Sequence, residues 1–347
     1  MRAVKALRIH AHGGAEVLRI DEVPIPEPRA GEVLVKVLAA SINHLDLWVR
    51  NGMPGFVVEF PRVLGCDGTG EIASLGAGVS GLRVGQRVVL EPGQSSGDSP
   101  EDLAGEDHLA PDYGIHGEHG DGYLAEYVAV PARYAMPMPE GVDPIAGAAV
   151  PLVFLTAWGM LLGRAKLAAG ETVLVLAGTS GVGSAAIQIA QRHGARVIAT
   201  AGTEAKRAKC LELGANAVVD HSVPSWDREV KKLTDGRGCD VVVEHVGPAT
   251  WDLSMRCLAR AGRLVTCGGT TGPKVSLLLP HVFIKNLSIL GSTMGPRLAL
   301  REIFMDVAAS RYRPVVDRVM PMSRAREAHE LLESRRVAGK IVLIPGE

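Results

Sequence analysis

A β-rich domain joined to an α/β domain with a doubly wound parallel sheet is the fold class this sequence predicts. Its 347 residues exceed one ordinary core, which favours two domains. From Ala3 to about Val150 short apolar runs are cut by turns. After Pro151 strand-like runs alternate with helix-length segments.

In the first part the runs are 33–37, 70–75, 87–90 and 124–130. Gly31, Gly76, Gly78, Gly81 and Gly85 lie between the runs where turns form, and Pro24, Pro26 and Pro28 stiffen the approach. Strands so spaced predict a small barrel-like fold. Residues 94–113 shift to Gly, Ser, Pro and acidic types with few large apolar side chains, the composition of a surface lobe. Beyond Pro151 the runs 173–177, 196–199, 240–243, 263–266 and 287–290 enclose helical segments such as 184–193 and 204–213. That alternation predicts right-handed crossovers and a parallel sheet. The tail reads as largely helical over 298–332 and ends in a strand, 340–344, expected to return to the first domain.

Composition excludes several classes of function. With 47% hydrophobic and 22% charged residues the chain is globular. The 37 basic and 38 acidic residues leave a net charge of −1 without a basic block, so no electrostatic footprint for nucleic acid is present. Aromatic residues, at 4%, are too sparse for base-stacking platforms. The first residues lack the apolar stretch of a signal peptide and no run of about 18 apolar residues follows, so no membrane span and a cytoplasmic location are expected. Cys66, Cys210, Cys239, Cys257 and Cys267 are scattered and never at C-x-x-C spacing, which reads as reduced thiols.

The strongest chemical signal is a strand run, 172–177, followed by the turn Gly178-Thr179-Ser180-Gly181-Val182-Gly183 and a helix opening at 184. Such a turn admits a pyrophosphate close to backbone N–H groups at the positive end of a helix. Tight strand-to-helix packing alone would also use Gly178, Gly181 and Gly183, but the surrounding alternation favours a dinucleotide site. At the end of the next strand, 196–200, the chain runs into Ala201-Gly202-Thr203 with no acid for a ribose 2′-hydroxyl. Lys206 and Arg207 follow on the first helical turn, where a 2′-phosphate would gain charge-assisted hydrogen bonds. NADPH is therefore favoured over NADH, the other reading being that both are solvated surface charges.

Together with Asn43-His44-Leu45-Asp46, Val63-Leu64-Gly65-Cys66-Asp67-Gly68, Gly122-Tyr123-Leu124-Ala125-Glu126-Tyr127, Leu155-Thr156-Ala157-Trp158 and Val243-Glu244-His245-Val246-Gly247, this turn makes the whole chain resemble the medium-chain dehydrogenase/reductase superfamily. The resemblance implies a GroES-like catalytic domain over 1–152 and 293–347, a Rossmann domain over 153–292, and a homodimer or homotetramer. It also implies where zinc would sit. The catalytic zinc positions of metal-dependent members fall at Asn43, Cys66 and Leu152, and the hydroxyl that relays the alcohol proton falls at Leu45. Their structural zinc positions fall at Ser96, Ser99, Asp102 and Ala110. Zinc needs ligands from Cys, His, Asp or Glu, so no zinc is expected. His108, His116 and His119 are read as loop histidines, and no metal is assigned to them.

Without zinc, the chain looks most like the quinone oxidoreductase branch, to which Ser180 in the second glycine position also points. There, NADPH passes hydride to an electron-poor acceptor. The resemblance puts Asn43, Asp46 and Thr156 around the nicotinamide, Lys206 at the 2′-phosphate, and His221 at a neighbouring position that is aromatic in the family. The expected cofactor set is Thr156, Gly178, Ser180, Gly181, Val182, Gly183, Thr203, Lys206, Arg207, His221, Val246 and Gly268.

The catalytic candidates are Asn43, Asp46 and Asp67. Hydride delivered to the β-carbon of an enone leaves an enolate that needs a hydrogen-bond donor and a proton, and Asn43 is the first candidate for the polar contact. Asp46 and Asp67 could equally satisfy backbone N–H groups at turns, and Cys66 reads as a small buried hydrophobe. The expected partner is a small molecule, an apolar carbonyl, enone or quinone, with pocket walls from 48–60 and 281–297 and apolar stretches at 56–58 and 277–279. Two other readings are an alcohol or ketone dehydrogenase with a metal held by Cys66, Asp67 and His44 or Asp46, and a crystallin-like protein that binds NADPH without catalysis.

Overall fold

The computed structural model describes residues 3–53 and 57–346. They form two compact units, Met1–Leu152 with Leu300–Glu347, and Val153–Ala299. The chain passes from the second unit back to the first within the helix Arg297–Ala308. Phe56, in the expected apolar stretch 56–58, lies outside the described residues.

The first unit is built on a seven-stranded sheet in which Ala135–Pro137, Arg87–Leu90, Asp67–Leu75, Glu32–Ile42, Lys340–Ile344 and Val316–Pro321 are neighbours, with Tyr127–Pro131 also pairing to Glu32–Ile42. A three-stranded sheet orders Arg19–Pro24, Ala3–Ile9 and Arg62–Val63. Alternating inward residues such as Val33, Val35, Ile72, Val88, Leu90, Ile341 and Leu343 form one core. The expected terminal strand is found at Lys340–Ile344, antiparallel to Glu32–Ile42. The tail before it is less helical than its pattern suggested. Val316–Pro321 is a strand whose mixed exposure hides the alternation.

The second unit is a six-stranded parallel sheet in the order Ala217–Val219, Arg196–Thr200, Thr172–Val175, Cys239–Glu244, Leu258–Thr266, Ser288–Gly291. The order reverses beside Thr172–Val175, the switch point at which doubly wound sheets bind ligands. Val173, Leu174, Val175 and Leu176 are all buried, as a strand covered by helices on both faces requires. Ser288–Gly291 closes the sheet as an edge strand. Leu278, Leu279, Phe283 and Ile284 before it, and Ile289 in it, are exposed. Among the described residues no helix is long and apolar enough to cross a membrane.

The lobe at 94–113 is braced by hydrogen bonds. Ser99 caps the short helix Pro100–Leu103 by accepting the Asp102 N–H. The Asp102 carboxylate accepts from Ser95 Oγ at 2.5 Å and from the N–H groups of Gly97 and Ser99 at 3.2 Å each. Arg133 and Tyr134 donate to the Ser95 carbonyl, and Arg133 also to that of Ser96 at 2.6 Å. The Ser95 hydroxyl holds the Asp102 carboxyl below its ordinary 3.8. Its contribution is therefore present above about pH 4 and lost as the pH falls through the folded value. Asp102→Ala is expected to speed protease cleavage within 94–113 while leaving the global unfolding transition nearly unchanged, as read by limited proteolysis beside thermal melting.

Candidate active site

In the first unit, strand register brings four polar residues to one point. Ser41 lies opposite Asp67 on the neighbouring strand, and Ile42 lies opposite Ile341, the residue after Lys340. Asp67 is fully buried. Its Oδ1 accepts the Leu152 N–H at 2.7 Å, and its Oδ2 accepts from Asn43 Nδ2 at 2.8 Å, Ser41 Oγ at 3.1 Å and Lys340 Nζ at 3.1 Å. Lys340 Nζ also donates to Asn43 Oδ1, which orients the amide with its nitrogen toward Asp67. The remaining Asn43 Nδ2 hydrogen meets only Cys66 Sγ, at 3.4 Å, a weak acceptor.

Asp46 is committed to the backbone. Its Oδ2 accepts the Asn43 N–H at 2.7 Å, satisfying an orphan donor at the start of the helix His44–Asn51, and its Oδ1 accepts the Gly65 N–H at 2.8 Å. Burial pushes its carboxyl up to about 6 against those two N–H groups. Every carboxylate oxygen of Asp46 and Asp67 thus has a donor. At the far end of the helix buried Arg50 donates to Gly13 O at 3.3 Å and Asn51 Oδ1 at 2.8 Å and pairs with Glu333. Its Nη1 lies 3.2 Å from His329 Nδ1, which burial and Arg50 hold down at about 3 and so keep neutral as the acceptor.

These residues do not fit zinc as its ligands usually hold it. Asn43 turns its amide oxygen to an ammonium, Leu152 offers only a backbone N–H, and the Cys66 thiol is pushed up by burial and by Asp67 and Asp46, away from the thiolate a metal needs. Among the described residues no group of three or more His, Cys, Asp or Glu side chains could hold a metal ion. Like His108, His116 is buried, which corrects the reading of both as solvated loop histidines. Its Nδ1 donates to Asp121 O at 3.3 Å, its ring packs on Tyr123 and Tyr134, and burial holds it down at about 4.

In the second unit, several of the residues expected to hold a dinucleotide lie in or beside the turn at 178–183. Ala177 bends out of its strand with φ of +46°, and Ser180 caps the helix Gly181–Arg192 by accepting the Gly183 N–H at 3.0 Å. Any side chain at Gly183 would put its Cβ 2.3 Å from the Ala177 carbonyl, and one at Gly178 would lie 2.7 Å from Cys210 Sγ. The glycines thus allow close packing and leave the first N–H groups of the helix as an anion cradle, which fits a pyrophosphate. The Ser180 hydroxyl lies 3.0 Å from His245 Nε2. Glu244, buried beside it, accepts from the N–H groups of Val246 at 2.7 Å and Gly247 at 3.0 Å and from the Thr250 and Ser254 hydroxyls, which fixes the loop at Val246. Thr200 Oγ1 accepts the Ala177 N–H and contacts His221 Nδ1, each at 3.0 Å, so His221 is tied to the same turn. Gly268 accepts the Thr266 hydroxyl at 3.2 Å, and Thr156 sits buried beside Met294 Sδ at 3.6 Å.

The ribose end differs from expectation in one respect. Thr203 caps its helix by accepting the Lys206 N–H at 3.3 Å, as an N-terminal signal should. Arg207 is not a free cation: its Nη1 donates to Asp220 Oδ2 at 2.6 Å. Asp220 follows the next strand, Ala217–Val219, which pairs with the strand ending at Thr200, so reading one strand alone missed it.

Residues 29–140 match the alcohol dehydrogenase GroES-like domain, and residues 181–310 match the zinc-binding dehydrogenase family. A zinc-type alcohol dehydrogenase-like protein from Schizosaccharomyces pombe is 32% identical over 97% of this chain and 99% of its own length. Quinone oxidoreductase from Sus scrofa is 30% identical over 99% of this chain and 98% of its own. A solved structure described as an NAD-dependent alcohol dehydrogenase is 45% identical, with a TM-score of 0.94 over 98% of this chain and 99% of that one. The chain belongs to the medium-chain dehydrogenase/reductase superfamily. As a member of it, the protein is an NAD(P)H-dependent oxidoreductase.

Sequence reasoning missed Lys340, Glu244 and Arg50. The signal for Lys340 was a lysine opening an otherwise apolar strand, a pattern that solvated strand ends share. Both Lys340 and Asp67 are buried, at 4% and 0% exposure. Lys340→Met should cost about 3–5 kcal/mol by leaving the Asp67 charge without its ammonium. Denaturant unfolding checks this, and the double variant with Asp67→Asn should lose less than the sum of the two singles.

Proposed function

We propose that this protein is a zinc-independent, NADPH-dependent reductase of activated C=C bonds or quinones. The observation that carries the reading is the Lys340–Asn43–Asp67 cluster, which occupies with an ammonium and an amide the place where zinc-dependent relatives need a metal donor set. When bound, the reduced nicotinamide supplies the hydride. This chain's own residues bind, orient and polarise. The cradle at 178–183 takes the pyrophosphate, and Val246, held by Glu244, lines the cofactor's path. Lys340 withdraws electron density from the Asn43 carbonyl and so strengthens the amide N–H that now meets only Cys66. That N–H is the donor for charge developing on the acceptor's oxygen. Hydrogen bonding alone activates a carbonyl less than a Lewis acid does, which suits acceptors that are already electron-poor.

For the phosphate choice, the absence of an acid after Thr200 and the presence of Lys206 support NADPH. The Arg207–Asp220 pair favours a second reading, NADH, as does the description of the 45% identical structure as NAD-dependent. The exposed apolar residues beside the edge strand Ser288–Gly291 support a homo-oligomer that covers them. The five cysteines are all free, in keeping with a reducing compartment such as the cytoplasm.

Steady-state NADPH and NADH oxidation against quinones, 2-alkenals and simple ketones should show turnover with the first two classes only, insensitive to chelators, with NADPH preferred at least about tenfold. Equal use of both nucleotides points to the NADH reading, and one tightly held zinc per chain that activity requires overturns the metal-free one. Phe283→Asp should shift the mass seen by light scattering from an oligomer to a monomer if the edge is its interface.

A further inference from the structure

Two loops of the second unit leave the carboxyl ends of neighbouring strands where the parallel sheet reverses order, the crevice in which doubly wound sheets take their ligands. One is the turn at 178–183, which follows Thr172–Val175. The other begins at His245, directly after Cys239–Glu244. His245 is 8% exposed, although it stands at the mouth of this crevice rather than in the apolar core.

Backbone bonds on both sides fix the position of its ring. Glu244 accepts the N–H groups of Val246 and Gly247, and the His245 carbonyl accepts the Thr270 N–H at 3.4 Å. The Val246 carbonyl accepts from Thr271 twice, its N–H at 2.9 Å and its hydroxyl at 2.7 Å. From this anchored segment the ring reaches the other loop, where Nε2 meets Ser180 Oγ at 3.0 Å. Ser180 Oγ already accepts the Gly183 N–H as cap of the helix Gly181–Arg192, which leaves the hydroxyl's own proton for the imidazole. Assigned from these bonds, Nε2 is the acceptor and the neutral ring carries its proton on Nδ1. Burial holds the ring down at about 4, so it is neutral at working pH. Nδ1 is itself buried, and no described residue hydrogen-bonds it. A buried donor without an acceptor is costly, and a dinucleotide is rich in acceptor oxygens.

We propose that His245 is a cofactor-binding residue, a neutral imidazole whose Nδ1–H donates to an oxygen of the bound dinucleotide while Nε2 accepts from Ser180. This rests on the reading of 178–183 as the dinucleotide turn. Ser180 then acts twice. It caps the helix whose first N–H groups form the anion cradle, and its hydroxyl proton sets the tautomer of the ring beside them. The helix N–H groups meet negative charge in general, whereas Nδ1–H, on a ring held at two loops, requires an acceptor at one place on the ligand.

The test uses the full-length protein with NADPH and NADH as probes. Nitrogen NMR of histidine-labelled protein, with His245 assigned by its absence from His245→Gln, should show Nδ1 protonated and Nε2 bare. Saturating nucleotide should then move the Nδ1 signal as the new hydrogen bond forms. Two variants divide the contacts of the ring. Glutamine can set an amide at the Nε2 position, against Ser180, but puts nothing at Nδ1. Asparagine can set its amide nitrogen at Nδ1 and leaves Ser180 without that partner. His245→Gln should raise the nucleotide Kd about tenfold at an unchanged melting temperature, and His245→Asn should raise it less. A His245→Gln protein that binds as tightly as wild type overturns the proposal, as does the reverse order of the two variants. An Nδ1 signal that is the same with and without nucleotide also overturns it, by showing that water already serves this atom. If the wild-type protein binds neither nucleotide, the dinucleotide reading falls and the role of His245 with it, an outcome distinct from tight binding that leaves the ring unmoved.

Discussion

The buried contact between Lys340 and Asp67 is the constraint on which the first unit depends. Two charges removed from water must be repaid by close geometry and complete hydrogen bonding. Asp67 meets that demand with donors from four places in the chain: Ser41, Asn43, Leu152 and Lys340. Each donor can reach it only if its own strand or helix is in register. A slip of one residue in Lys340–Ile344 would turn the lysine to the other face of the sheet and leave Asp67 charged and underbonded. The return of the terminal strand to Glu32–Ile42 is thus tied to the polar cluster as much as to the apolar pairs Ile341 and Leu343 add to the core.

The same device recurs through the molecule. Asp46 holds the N–H groups of Asn43 and Gly65, Glu244 those of Val246 and Gly247, and Asp102 those of Gly97 and Ser99. In each case an acidic side chain gathers backbone donors where the chain turns sharply, because such donors have no partner in a regular element. These carboxylates have their lone pairs occupied and serve to place neighbours.

Much of the architecture was legible because it rests on periodicity. The runs at 173–177, 196–199 and 240–243 appear as strands of the parallel sheet, and the strand, turn and helix around Gly178 come in the expected order. The strand at Val316–Pro321 was not legible, since it lies where mixed exposure blurs alternation and flanking helices dominate the pattern. At the site, Asn43 and Asp67 could be found as residue types, but their partner could not. Lys340 is far from both in sequence and meets them only through sheet register, a long-range fact that local pattern does not carry. Arg207 shows the opposite error: a cation read as free is claimed by Asp220, from a strand whose pairing was unknown.

A metal in this unit would have to displace Lys340 from Asn43 and draw a proton from Cys66, whose thiol is disfavoured as an anion by Asp67 and Asp46. The same local charges leave one Asn43 amide hydrogen on a weak acceptor, Cys66 Sγ, in a site polarised by Lys340.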